Sequence, residues 1–334
     1  MTEVQKITWF RNATLIVALW TFMVIVVGAY VRLSHAGLGC PDWPGCYGHI
    51  DVPQAHQEIQ IANQTYPERP VETEKAWKEM AHRYIATALG LWIVALAFFS
   101  LKVKQAPKVL PWVLVALVCF QGVLGMWTVT WQLKPLAVTG HLLGGMTTFS
   151  LLLWQWWSLQ SIEKVVRPQK LRILATLALL FLIFQIYLGG WTSTNYAALA
   201  CPDLPQCQGQ WLPQTNVSEA FKLWRGLEQN YEGGVLNNDA RVTIHFFHRI
   251  GAILLSLVIV FLLHYLFTQS HHRIWKRLGA AVLSAWILQI TIGISVVHFQ
   301  LPLWLADAHN AGAALLLAAI ISLNYFAWAG SRRV

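Results

Sequence analysis

Apolar residues along this chain do not fall in the narrow stripes of a water-soluble helix. They fill runs of roughly twenty residues, each closed by a polar or charged stretch. At about 1.5 Å per residue, such a run crosses the roughly 30 Å hydrocarbon core of a bilayer. The runs predict membrane-spanning helices at 12–33, 83–101, 110–130, 139–160, 171–191, 246–267, 278–298 and 305–328. That makes eight spans, with seven or nine as the alternatives where intervening turns are very short. The first ten residues are polar and are expected at the surface. The stretch before 83 reads as a charged, helix-permissive end to a long loop.

Compared with itself, the chain repeats. Gly28 falls on Gly189, and Cys40-Pro41-Asp42-Trp43-Pro44-Gly45-Cys46 falls on Cys201-Pro202-Asp203-Leu204-Pro205-Gln206-Cys207, at a spacing of 161 residues. The spacing grows to 166 where His82-Arg83 meets His248-Arg249. It reaches 168 where Gln121, Gly125, His141 and Gly144 meet Gln289, Gly293, His309 and Gly312. The pattern is that of a duplicated unit. The expected fold is therefore an all-α integral membrane protein with eight transmembrane helices arranged as two tandem four-helix bundle repeats, residues 1–165 and 166–334. An even number of spans per unit makes the halves parallel repeats about an axis along the membrane normal.

Composition agrees, with 56% hydrophobic and 12% charged residues. The formal net charge of +9 has its own pattern. Lys6, Arg11, Lys102, Lys104, Lys108, Lys164, Arg167, Lys170, Arg172, Arg273, Lys276, Arg277, Arg332 and Arg333 all fall at one end of the predicted spans. The positive-inside rule makes that end cytoplasmic, with both chain termini there. No basic patch or motif points to nucleic acid, and the acidic residues concentrate in the long outer loops, about 34–81 and 192–245. Neither a cleavable signal nor an Arg-rich presequence is apparent, so the expected location is a bacterial plasma (inner) membrane.

The candidate chemistry lies at the outer ends of the predicted spans. His82, His141, His248 and His309 recur at matched places, and ionisable residues within spans mark function by default. Two imidazoles per half suit heme iron, whose macrocycle supplies the other ligands; zinc or copper would ask for further donors that do not repeat here. Arg32, Arg83 and Arg249 are candidates for propionate pairing, or for holding helix ends at the headgroup layer. Glu79 precedes His82 by three residues, on nearly the same helix face, and its counterpart is His245. An acid in one half and an imidazole in the other suggests that the two sites have diverged. On the oxidising side of a membrane, Cys40 with Cys46 and Cys201 with Cys207 are expected as disulfides, with free thiols or a zinc site as alternatives. Cys119, inside the third span, reads as a small buried hydrophobe. His35, His49, His56, His264, His271, His272 and His298 do not recur and read as surface or interface residues, His298 lying at the outer end of the seventh span near the second site.

Together, Gly28…Arg32, Cys40-Pro41-Asp42-Trp43-Pro44…Cys46, Glu79-Met80-Ala81-His82-Arg83, Gln121-Gly122…Gly125, His141, Cys201…Cys207, His248-Arg249, Gln289 and His309 resemble the heme A synthase family over nearly the whole chain. The resemblance implies an oxidoreductase that converts a porphyrin methyl group of heme O to a formyl group, giving heme A for terminal oxidases. It implies a first half holding the substrate at His82 and His141, and a second half holding a heme b cofactor at His248 and His309. Glu79 would be the important first-half carboxylate and Cys40–Cys46 the first-loop disulfide. Implied partners are heme O, membrane lipid, heme O synthase and terminal oxidase assembly proteins. The competing readings are a diheme electron-transfer protein and a heme carrier.

Overall fold

The structure, a computed structural model, describes residues 1–160, 168–226, 229–269 and 272–329. The described residues form α1 (Glu3–Leu33), α2 (His56–Thr65), α3 (Thr73–Ser100), α4 (Leu110–Thr130), α5 (Pro135–Ser158), α6 (Gln169–Thr194), α7 (Val217–Ala220), α8 (Asn238–Thr268), α9 (Arg273–His298) and α10 (Leu303–Trp328). Among the described residues, eight helices are long and apolar enough to cross a membrane, α2 and α7 being the exceptions. The chain is an all-α, multi-pass membrane protein. Leu91, Phe120 and Phe261 stand exposed on the outside of the helices, where lipid covers them at no cost.

Helix termini depart from the sequence expectation. The helix-permissive segment before residue 83 is the first part of α3, as the shared face of Glu79 and His82 requires, so α3 begins at Thr73 rather than at 83, and α8 begins at Asn238 rather than near 246. Both extensions are polar enough to stand in water yet are supported as helix. Lys75 pairs with Glu72 at 2.8 Å and Lys78 with Glu74 at 2.6 Å. The Asn237 side chain accepts the Ala240 amide at 3.0 Å as an N-cap. The polar N-terminus is also helical from Glu3, closed by a capping box between Thr2 and Gln5. His82 and His248 therefore lie inside their helices, about 14–15 Å from the first residue, rather than at helix ends. Cys119 is exposed on α4 beside Phe120, not buried.

Helices α1, α3, α4 and α5 touch in sequence, and α5 closes back on α1. Helices α6, α8, α9 and α10 do the same, with α10 closing on α6. Further contacts join α10 to α1 and α5, and α5 to α6. The most enclosed helices are α10 and α5, and α9 is the most exposed. His309 and His141 ride on these two central helices. A hydrophobic cluster runs through both sets of helices, from Phe10, Ile93 and Leu152 to Leu182, Leu262 and Leu317.

Both long loops emerge at one end. At the other, Lys108 Nζ donates to the Ser100 and Val103 carbonyls at 2.6 and 2.7 Å, satisfying the C-terminus of α3. Lys164, Arg167, His271, Arg332 and Arg333 lie outside the described residues.

Candidate heme sites

Each repeated histidine packs over a glycine on a neighbouring helix. A Cβ at Gly28 of α1 would lie 2.8 Å from His82 Cε1, and one at Gly125 of α4 would lie 3.5 Å from His141 Cε1. In the second half the corresponding distances are 3.3 Å from Gly189 of α6 to His248 and 2.8 Å from Gly293 of α9 to His309. At Gly28 and Gly293, and less tightly at Gly189, glycine lets the imidazole sit where a methyl group would otherwise stand. The His248 and His309 rings face each other, nearly perpendicular, with centroids 6.5 Å apart.

Amides sit behind these rings. Gln289 of α9 reaches His309 Nε2 at 3.4 Å and lies against Gly312 of α10. In the first half Gln121 lies in the same way against Gly144. Gln185 of α6, which the repeat comparison did not single out, brings Nε2 within 3.0 Å of His248 Nδ1 and donates to the His248 carbonyl at 2.9 Å. Its signal in the sequence is an isolated amide inside an apolar run.

Above each pair a disulfide loop is clasped onto the helix that carries the first histidine. Cys40 is bonded to Cys46 and Cys201 to Cys207. Asp42 accepts the Tyr47 and Gly48 amides at 2.6 and 2.7 Å, and Asp203 accepts those of Gln208 and Gly209 at 2.6 and 2.8 Å. The bonds from Gly209 and Gln208 hold the Asp203 carboxyl below its ordinary pKa. Glu79, buried, accepts the Cys40 amide at 2.9 Å and pairs with Arg83. His245, also buried, accepts the Cys201 amide through Nδ1 at 3.2 Å and faces Arg249 at 3.4 Å.

The arginines divide. Arg83 donates to the Pro44 and Gly45 carbonyls, and Arg249 to those of Asp203, Gln206 and Cys201. These two guanidiniums, candidates for propionates or for holding helix ends, bind the loops, where a tight turn exposes several carbonyls that a fork of donors can satisfy together. Arg32 donates to Ser193 O at 3.1 Å and lies over the Tyr196 ring at 4.5 Å, while its Nε is buried with no partner.

The second loop also reaches across the molecule. Lys134, at the α4–α5 turn, is buried with Nζ 2.7 Å from Gly226 O and 3.0 Å from the Trp224 ring centroid. Arg69 pairs with Glu232 at 3.0 Å.

These donor sets suit heme rather than a bare metal ion. No group of three or more His, Cys, Asp or Glu able to hold a metal occurs among the described residues, so each histidine pair stands without a third protein donor. Nδ1 of His82, His141 and His309 is buried without a hydrogen-bond partner, so none of these rings is held through that nitrogen. A metal whose remaining ligands come from a macrocycle asks no third donor of the protein.

Residues 11–321 match the family model described as COX15-CtaA, cytochrome oxidase assembly protein. The heme A synthase of Shewanella oneidensis is 47% identical over 327 residues, covering 97% of each chain. This chain belongs to the heme A synthase family. Heme A synthases of Allorhizobium ampelinum and Halalkalibacterium halodurans are each 26% identical, covering 90% and 89% of this chain and 86% and 90% of their own.

Proposed function

We infer that this chain oxidises heme O to heme A. The reaction exchanges methyl C–H bonds for a formyl C=O bond, so it releases electrons and protons and adds an oxygen atom. The observation that carries the reading is the 47% identity to a heme A synthase along 97% of both chains.

We assign the substrate to residues 1–165 and a heme b cofactor to residues 166–334, each half a four-helix bundle. The closed sequences of contacts α1–α3–α4–α5 and α6–α8–α9–α10 support that division. His82 and His141 would hold the substrate iron, and His248 and His309 the cofactor iron. Bound there, heme b supplies reversible one-electron transfer. Arg32, with an unpartnered buried Nε, is the arginine best placed to meet a propionate; Arg83 and Arg249 fix the loops that close the sites from above.

Glu79 lies three residues before His82, at the reacting edge of the substrate in this assignment. There it takes or relays protons as the methyl group loses hydrogen. Its bonds to Cys40 and Arg83 also tie the chemistry to the loop.

The end rich in Lys and Arg faces the cytoplasm of the bacterial plasma membrane, with both chain termini on that side. Heme O synthase and terminal oxidase assembly proteins are the expected neighbours in that membrane.

The test is to extract hemes from cells that make heme O, with and without this chain, and identify them by mass. Heme A should appear only with the chain. Unmodified heme O in both samples would favour a carrier or a diheme electron-transfer protein and overturn the assignment.

A further inference from the structure

The two halves differ beneath the first histidine. Gln185 on α6 and Gly251 on α8 form a fitted pair, since a Cβ at Gly251 would collide with the Gln185 amide. At the repeat spacing, Gln185 corresponds to Val24 and Gly251 to Ile85. The amide and the space that receives it are thus both replaced by branched apolar side chains in the first half. The consequence is visible at the rings: His248 Nδ1 has its partner in Gln185 at 3.0 Å, whereas His82 Nδ1 is buried with none. The other amide behind a histidine, Gln121 or Gln289, is present in both halves.

We propose that Gln185, seated on Gly251, is the positioning residue that makes the second-half heme site permanent, and that Val24 with Ile85 leaves the first-half site able to release its heme. This rests on the two-site reading above. A metal-binding imidazole is oriented by whatever its other nitrogen bonds, and loss of such a partner costs about 10–100-fold in affinity. Gln185 engages Nδ1 and leaves Nε2 for the iron. Iron at Nε2 leaves the proton on Nδ1, so the Gln185 amide then serves that proton with its oxygen, which has no partner in the orientation where Nε2 faces the ring. In that orientation Nε2 also donates to the His248 carbonyl at 2.9 Å, which seats the amide against the turn that carries the ring. Among the described residues no hydrogen-bond partner holds His82 Nδ1. An enzyme that must discharge a modified heme from one site and keep a cofactor in the other needs this inequality.

The experiment uses full-length chain in detergent and follows heme transfer to excess apomyoglobin, together with the low-spin electron paramagnetic resonance signal. Gln185→Val, the residue found at the first-half position, should bind heme b but lose it at least about ten-fold faster, with a shifted signal. Gln185→Glu, which keeps an acceptor for Nδ1–H, should restore slow release. A purely structural glutamine would change protein yield without moving release rate or signal. Should Gln185→Val fail to accumulate, the reverse exchange decides: Val24→Gln with Ile85→Gly should slow release of first-half heme. Unchanged release in Gln185→Val, or in the reverse exchange when Gln185→Val cannot be purified, overturns the proposal. His248→Ala separates the two ideas. If it retains the full low-spin signal, the heme-site reading itself fails; if it loses the signal while Gln185→Val matches wild type, only the role of Gln185 fails.

Discussion

The two disulfide loops make the same attachment with different chemistry. In both, the amide of the leading cysteine is accepted by a helical side chain, and an arginine four residues further along that helix binds the loop carbonyls. In the first half the acceptor is the carboxylate of Glu79, paired with Arg83; in the second it is His245 beside Arg249. Since an imidazole makes the attachment in one half, a negative charge is not required for it. The carboxylate of Glu79 exceeds its structural duty, and the excess sits in the half assigned to the reacting substrate. A buried charge is costly to maintain, even beside an arginine. What the second half does without is therefore the best guide to what Glu79 does in the first.

Replacing Glu79 tests this most severely and carries the largest expected effect. Glu79→His copies the second half, and Glu79→Gln keeps size and an acceptor. Arg83 would retain the Pro44 and Gly45 carbonyls, as Arg249 manages with loop carbonyls and an imidazole. Both variants should accumulate normally and keep heme b, while heme A formation falls by about 100-fold or more, the usual measure of a lost proton-transfer group. Heme extracts with heme O or a partly oxidised product in place of heme A would match that expectation. Wild-type heme A levels would show that the acid only clasps the loop.

A smaller effect should separate the loops themselves. The first is backed by a cluster of Tyr47, Val52, Ala62, Ala76 and Met80 around its cysteines, and Tyr47 donates to Pro70 O at 3.2 Å. Burial pushes the Tyr47 phenol up to about 12, so it remains a donor through the physiological range. Behind the second disulfide the corresponding cluster among the described residues is smaller, Val242 with the two cysteines and Ala200 and Phe246 partly buried against them. Removing either disulfide costs about 2 kcal/mol of loop-closure entropy. Under limited proteolysis, Cys201→Ser with Cys207→Ser should open its loop to cleavage more than Cys40→Ser with Cys46→Ser. The opposite order would mean that the first cluster adds no support.

The spans were legible in the sequence because crossing hydrocarbon demands long apolar runs, and the matched histidines were legible because duplication repeats them. Helix ends were legible only where an apolar run stops at a turn, as at both ends of α4, and not where a helix continues into water. Residues 73–82 are charged, and only their Glu–Lys spacing hints that the helix continues beyond the apolar run. The acceptors of Arg83 and Arg249 were hidden for a related reason: a guanidinium in a sequence does not declare its partner, and the loop carbonyls that claim it converge only in the folded turn. Gln185 escaped a comparison built on repetition because it has no counterpart to repeat.

The finest comparison concerns the glycines beneath the histidines, where the halves reverse order. In the first half the tighter contact is Gly28 with His82, 2.8 Å against 3.5 Å for Gly125 with His141. In the second it is Gly293 with His309, 2.8 Å against 3.3 Å for Gly189 with His248. Alanine stabilises a helix interior by up to about 1 kcal/mol over glycine, so a substitution that fits should be neutral or slightly favourable. Gly125→Ala meets its ring at ordinary van der Waals distance and should leave heme content and heme A formation unchanged. Gly28→Ala must displace His82, and with no partner on Nδ1 that ring should move and weaken substrate retention without unfolding the chain. Gly293→Ala should lower heme b occupancy more than Gly189→Ala, and heme-to-protein ratios of the purified variants measure both. Equal losses at Gly28 and Gly125 would mean that the rings do not rest on these helices when heme is bound.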